Sequence, residues 1–295
     1  MRAVEDVETA LAGRESLLGV GVDDELLPAV IEARRRTDGG TWRLVCPPRV
    51  VDGLDRSLVL GTAVAEALSA GTLALRTADP SITPRGLFVV ADAVHALTGP
   101  AGDRAVVSES DPEVIEGLRA AATSWFEGGD PATVGMPSRS RLIGSARTEL
   151  DDRFADDLAT VLASAEIGDL DRSGRVTDLT LLVALGARHD HLFSDVRTWA
   201  DEVGIAARQR FTEDRRHLVD RGLIESVKVP MGVGHPNYRL RAVDDDLIHA
   251  PPAKLVPLLR TRLDDDRLDG DRDSGNATGT AGRGADGTPI WERRR

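Results

Sequence analysis

The chain has 295 residues, with 49 Asp and Glu against 37 Lys and Arg and a formal charge of −12. That length supports two or three domains with a sizeable core. No run of eighteen apolar residues and no basic-then-apolar N-terminus occurs, so a cytoplasmic protein with no membrane partner is expected. Cys46 stands alone, which excludes a disulfide framework and a cysteine metal cluster.

In chain order, residues 1–14 read as a short helix, SLLGVGVD (16–23) as a buried strand, and Asp24 to Arg36 as a helix. TWRLVCPPRVV is a second strand, ended by Pro47-Pro48. A longer helix then carries Leu58, Val59, Thr62, Ala63 and Leu68 in register. TLALRTAD is a third strand, GLFVVADAVHALTG a strand turning into its hairpin partner, and DRAVVSES a further strand. Asp111-Pro112 caps a helix to Phe126, since aspartate accepts the first N–H groups and proline fits the first turn. Strands alternating with helices predict an α/β domain with a mainly parallel sheet, mixed by the hairpin at 87–108.

GGDPATVGMPSRS (128–140) is a linker by composition. From Ser138 to Ala165 the spacing predicts one long helix with a stripe of Leu142, Ile143, Leu150, Phe154, Leu158, Val161 and Leu162. Such a stripe either forms a dimer seam or packs on one of the domains. IGDLDRSGR is a second linker.

From Val176 to Val243 the chain reads helix, helix, tight turn, helix, strand, glycine loop, strand. Leu179, Leu182, Val183 and Gly186 share one face of the first helix. Ser194 and Asp195 offer an N-cap for the second, whose stripe is Val196, Trp199, Ala200 and Val203. Gly204 suits the left-handed conformation that ends it. The third helix runs from about Ala207 to Arg221, buries Phe211 and Leu218, and stops at Gly222. A strand alternating Ile224, Ser226, Lys228 with Glu225, Val227, Val229 leads through MGVGHP to NYRLRAV. This order is the winged helix-turn-helix plan. Pro251 to Leu268 reads as a terminal helix, with Leu255 and Leu259 among its apolar positions. The Gly-, Asp- and Thr-rich remainder is expected to be disordered.

The third helix carries Arg208, Gln209, Arg210, Thr212, Glu213 and Arg216 away from its apolar face. Arginine can grip guanine or phosphate with two donors, and glutamine can read adenine. The ribbon adds Lys228, His235, Arg239 and Arg241, where a wing meets the DNA backbone or the minor groove. The bland reading is a winged helix that binds protein and a surface helix whose arginines are merely solvated. Ten Lys and Arg stand against nine Asp and Glu between Val176 and Arg241, about +1, which leaves −13 for the rest. The winged segment is therefore the least acidic part of an acidic chain. Arginine dominates the basic residues, Asp outnumbers Glu roughly two to one, and Lys228 and Lys254 are the only lysines. That composition resembles a protein of a halophile, where concentrated salt shrinks the Debye length to about 3 Å.

Catalytic signatures are missing: there is no GxSxG, P-loop, HExxH, or GxGxxG after a strand. His189 and His191 stand at i, i+2, which on a helix point apart and argue against a metal site. Asp92 and His95 flank the hairpin, and Ser108 lies where a strand hands over to a helix. The expected ligand mouth lies where Thr77, Asp92, His95 and Ser108 meet the helix starting at Pro112, whose N–H groups suit an anion.

The stretch GLFVVADAVHALTG…DRAVVSESDPEVIEGLRAAATSWFEGG resembles the effector domain of archaeal TrmB-type regulators, which has a phospholipase-D-like fold. TDLTLLVALGARHDHLFSDVRTWADEVGI and LVDRGLIESVKVPMGVGHPNYRLR make the whole chain, about residues 5–265, look like the haloarchaeal TbsP regulator family. The resemblance implies a transcription regulator of metabolic genes with an effector-type domain. Phospholipase D needs His-x-Lys, and neither lysine here follows a histidine by two, so the implied fold is catalytically degenerate. TrmB-type regulators carry their winged helix N-terminally, so sugar sensing does not transfer residue by residue.

The expected organisation is an α/β effector and dimerisation domain with a mixed, degenerate phospholipase-D-like sheet at 1–130, and a linker and long helix at 131–170. A winged helix-turn-helix follows at 171–243, then a C-terminal helix at 244–268 and a tail at 269–295. The expected function is a non-enzymatic, dimeric regulator of double-stranded DNA in a halophilic archaeon, without cofactor and open to a small-molecule effector. The rival is an interaction protein that does not bind DNA. The expected seam is Leu150, Phe154, Leu158 and Val161, or else the terminal helix.

Overall fold

The computed structural model describes residues 2–99, 104–165, 176–230 and 237–264. His235, the second linker and the tail lie outside them. The first part contains α1 (Arg2–Leu11), β1 (Leu17–Val20), α2 (Leu27–Arg35), β2 (Trp42–Cys46), α3 (Pro48–Leu54), α4 (Leu58–Ser69) and β3 (Leu73–Thr77). It continues with β4 (Leu87–Val89), β5 (Val94–Thr98), β6 (Ala105–Glu109), α5 (Pro112–Gly128) and β7 (Asp130–Pro131). Then follow α6 (Arg139–Glu149), α7 (Asp152–Ser164), α8 (Asp178–Arg188), α9 (Phe193–Glu202), α10 (Phe211–Asp220), β8 (Ile224–Val229), β9 (Asn237–Ala242), α11 (Asp245–His249) and α12 (Leu255–Asp264).

The strands form one sheet in the order β6-β5-β4-β1-β2-β3-β7. Only β1–β2 and β2–β3 pair in parallel; β1–β4, β4–β5, β5–β6 and β3–β7 are antiparallel. The sheet is mixed as expected, but it is not mainly parallel, because the hairpin docks beside β1 and reverses that half. The fully buried β1 reads as a continuous apolar run, and β2 does so but for the partly buried Arg43, because helices cover both faces. One face holds Val7, Leu27, Ile31, Trp42, Leu44 and Phe88 under α1–α4, and the other holds Leu18, Val20, Val89 and Phe126 under α5. Asp111 caps α5, accepting from the N–H groups of Glu113 and Val114 at 2.8 and 3.4 Å. Pro47-Pro48 ends β2 and opens α3, with Pro48 in the first turn, where its missing N–H costs nothing.

The linker read at 128–140 is tied down. Its Asp130–Pro131 pairs with β3, Met136 is buried, and Gly135 N–H donates to Asp55 Oδ1 at 2.8 Å. The single long helix expected from Ser138 is two helices, α6 and α7. They break at Leu150–Asp151, where Asp151 caps α7 through the Phe154 N–H at 2.8 Å. Folding the stripe back on itself buries Leu142 and Ala146 against Phe154 and Leu158. Phe154 packs edge-on to Trp199, with ring centroids 5.4 Å apart. The expected dimer seam is therefore interior: Phe154, Leu158 and Val161 lie in the chain's own core, as do Leu255 and Leu259 of α12. Removing Phe154 to Ala should cost about 3–5 kcal/mol of folding stability.

The C-terminal core joins α6, α7, α11 and α12 to α8–α10 and reaches Leu58 and Val59 of α4. There the Leu58 N–H donates to Asp178 Oδ2 at 2.7 Å, and Arg139 Nη2 donates to the Val59 carbonyl at 3.0 Å. Burial lowers the Arg139 guanidinium to about 10.

Candidate nucleic-acid interface

Thr177 caps α8 in a reciprocal capping box with Thr180, and both hydroxyls donate to Asp214 of α10, at 2.7 and 2.6 Å. Helix α9 begins at Phe193, earlier than the expected cap; Ser194 Oγ instead donates to Asp195 Oδ1. Gly204, with φ of +89°, ends α9 as expected, and Ile205 N–H returns to the Ala200 carbonyl at 2.8 Å. A 3-10 turn, Arg208–Arg210, precedes α10, and Gly222, with φ of +67°, follows it. Phe211 and Leu218 are fully buried, which orients the remaining faces outward.

Strands β8 and β9 form a two-stranded ribbon. Register places Ser226 opposite Leu240 and Lys228 opposite Tyr238, while Glu225 and Val227 oppose Arg241 and Arg239. Because side chains alternate, Lys228 shares the inner face with Leu240, and Arg239 and Arg241 share the outer one. The outer pair is bonded within the chain: Arg239 Nη1 donates to the Asp190 carbonyl at 3.0 Å and Arg241 Nε to its carboxylate at 3.1 Å. Asp190 holds a positive φ of 57° at the end of α8, a conformation aspartate tolerates better than most residues.

The expected reading residues divide. Gln209, Arg210 and Arg216 are exposed and have no ion-pair or side-chain hydrogen-bond partner among the described residues. Arg208, by contrast, is held by Asp201 at 3.0 Å and Glu202 at 3.7 Å. Thr212 is half-buried, and the acidic Glu213 shares the exposed stripe with Gln209 and Arg216.

Two arginines that sequence reasoning passed over complete the surface. Arg197 of α9 and Arg215 of α10 both lie over the Phe193 ring, 5.3 and 5.1 Å from its centroid. Arg215 also stacks on Tyr238 at 4.8 Å and donates to Ser226 Oγ at 2.7 Å. Neither has a carboxylate partner among the described residues, and the Nε of each is buried without an acceptor. The periodicity of α9 put Arg197 opposite Trp199, but only the fold brings it to Arg215. The signal available in the sequence was a basic residue one turn after an aromatic helix start.

The four residues of the expected ligand mouth do not converge. His95 Nδ1 and Ser108 Oγ meet at 2.8 Å across β5–β6, and Asp92 lies at the same end of the sheet, paired with Arg14 at 2.7 Å. Thr77 lies beyond β4, β1 and β2, at the opposite end, because β4 runs against β1. The α5 N–H groups expected to hold an anion already bond Asp111, and Glu109 Oε1 accepts from the N–H groups of Ser110 and Asp111. Burial, and then the nearby Arg14, hold His95 below the usual histidine range, opposed by Asp92. His189 and His191 bind no common partner: His189 pairs with Asp157 at 3.0 Å, and His191 lies 3.5 Å from Asp151. A cleft of 560 Å³ lies elsewhere, between Asp55 and Arg56 of the α3–α4 turn and Gln209, Arg210 and Glu213 at the start of α10.

A seven-stranded mixed α/β sheet, the helix pair α6–α7, and then the three helices α8–α10 with a two-stranded ribbon define an α/β protein with a C-terminal winged helix-turn-helix. The model of the TbsP-like N-terminal domain of transcriptional regulators matches residues 2–137, and that of the TbsP-like C-terminal HTH domain matches residues 138–269. The chain belongs to the TbsP-like family of transcriptional regulators. No curated protein matches it. Among solved structures it is similar to TrmBL2, described as an archaeal chromatin protein with a novel mode of DNA binding, at 14% identity and a TM-score of 0.34. That match covers 44% of this chain and 51% of that one, so it spans about half of TrmBL2's length.

No described helix is long and apolar enough to cross a membrane.

Proposed function

We propose that this chain is a DNA-binding transcription regulator that reads base edges with Gln209, Arg210 and Arg216 and grips the backbone with Lys228, Arg197 and Arg215. The observation that carries the reading is the grouping of un-neutralised cations. In a chain of charge −12, Arg197, Arg210, Arg215, Arg216 and Lys228 have no carboxylate partner among the described residues, whereas Arg208, Arg241 and Arg188 do. Phosphate contacts fix a protein's register on the duplex, and an unpaired guanidinium is free to make them. Residues 2–137 act as effector and dimerisation unit, and the winged helix with α6, α7, α11 and α12 as DNA-binding unit. The acidic surface suits concentrated salt, in a halophilic archaeon whose metabolic genes it controls. A small-molecule effector acts in the 560 Å³ cleft, where it touches Gln209 and Arg210 directly, rather than at the dispersed Thr77, Asp92, His95 and Ser108.

One observation favours the rival protein-binding reading: Glu213 and Asp220 also lie exposed on α10. Selection from a pool of random duplexes in concentrated KCl separates the two. A recurring motif supports the regulator, and a pool that stays random leaves the interaction module.

A further inference from the structure

The two edges of the seven-stranded sheet are finished differently. β7 is two residues long and ends in proline, a short edge that cannot extend a ladder. β6, at the other end, is Ala105-Val106-Val107-Ser108-Glu109, with no lysine, proline or bulge, and Val107 is 54% exposed. On the same face stands Val114 of α5, 42% exposed. Natural sheets blunt free edges of this kind unless something pairs with them.

The direction of the backbone groups follows from the ladder. Leu97 N–H donates to the Gly86 carbonyl and Val90 N–H to the Ala93 carbonyl, so Ala93, His95 and Leu97 turn their backbone groups toward β4. Val94, Ala96 and Thr98 then face β6 and bond their partners Glu109, Val107 and Ala105. The N–H and C=O groups of Val106 and Ser108 point outward, and among the described residues no group outside the ladder bonds them.

We propose that β6 pairs with β6 of a second copy, antiparallel and centred on Val107, to form a homodimer with a continuous sheet. A two-fold axis at Val107 sets Val106 against Ser108 of the other copy, and the outward groups on both sides complete four hydrogen bonds. Such an isologous edge is self-complementary, which is what a closed two-fold dimer requires. Val107 meets its own copy in the non-hydrogen-bonded position, where Cα atoms stand about 4.5 Å apart and side chains are closest. Both exposed valines then leave water together. The helices that a seam could otherwise use, α7 and α12, bury their apolar stripes inside the chain. The inference does not depend on DNA binding, and its readouts involve none.

The test uses the full chain. A Cα separation of about 4.5 Å lies within the disulfide range, so Val107→Cys should cross-link to itself under mild oxidation. Cys46 does not interfere, because it is 1% exposed and burial pushes its thiol up to about 12. Ile82→Cys, at an exposed site on the β3–β4 connection, is the collision control. We expect a light-scattering mass of twice 31.6 kDa for the wild type and rapid dimer cross-linking for Val107→Cys only. Val107→Lys sets like charges across the axis without burying a charge in the folded chain, and should give the monomer mass with unchanged circular dichroism. A monomeric wild type overturns the proposal. So does a dimer that persists in Val107→Lys, or cross-linking no faster than that of Ile82→Cys.

Discussion

The Arg215 guanidinium lies 4.8 Å from the Tyr238 ring centroid, so one side chain ties α10 to the ribbon. The same group bonds Ser226 Oγ and stacks on Phe193. A half-buried cation–π contact is worth about 0.5–2 kcal/mol. Arg215→Ala should therefore lower folding stability by about 1–2 kcal/mol and weaken binding to every DNA sequence alike, since backbone contacts carry no base information. Arg215→Lys keeps the charge but loses the planar stack, and should recover less than half of the stability loss. Paired urea melts and binding curves check both.

Arg208 and Arg210 are two residues apart but differ in their partners. Arg208 is neutralised by Asp201 and Glu202, whereas Arg210 has no partner among the described residues. Arg210→Ala should cost about 1–3 kcal/mol in affinity for a selected site, and Arg208→Ala under about 1. Equal losses in a mobility-shift titration would show that Arg208 leaves its carboxylates to join the DNA.

Lys228 and Arg239 occupy opposite faces of the ribbon, so their substitutions should separate. Lys228→Ala should reduce affinity for all sequences and lower the salt slope by about one counterion. Arg239→Ala, which loses its bond to the Asp190 carbonyl, should appear in thermal stability with little change in the slope. A reversed pattern would move the DNA to the outer face.

Much of this was legible in local signals. Asp111-Pro112, Gly204 and Gly222 marked the ends of α5, α9 and α10 because caps and left-handed turns depend on a few adjacent residues. The break at Leu150–Asp151 was not, because two helices folded on each other present the same apolar spacing as one continuous helix. Asp151 followed by Asp152 was the cap signal that could have revealed it. Thr77 was grouped with Ser108 because both end strands; the antiparallel docking of β4 on β1, a long-range event, sends them to opposite ends. Arg197 and Arg215 meet only through the crossing of α9 with α10 and the ribbon.

His95 and His191 are both held below the usual histidine range, each by burial first. Asp92 and Asp151 oppose that shift, while Arg14 at His95 and His189 and Arg153 at His191 add to it. In the unfolded chain both titrate near about 6.5, so below that pH the unfolded state takes up protons first. Stability should be complete above about pH 6.5 and fall as the pH drops toward the folded values. Thermal melts should show this decline, with a shallower slope in His191→Gln. A Tm that rises on acidification through that window would contradict it.

The central claim is that the outward face of α10 reads DNA, and Arg216 is its most direct probe because it is exposed and without a partner among the described residues. The decisive measurement is fluorescence anisotropy of Arg216→Ala on a duplex selected by the wild type and on its scrambled version. A bidentate base contact predicts a loss of about 1–3 kcal/mol, roughly 5- to 150-fold in Kd, on the selected duplex and little on the scrambled one. Unchanged Kd on the selected duplex, with native circular dichroism, would contradict the claim.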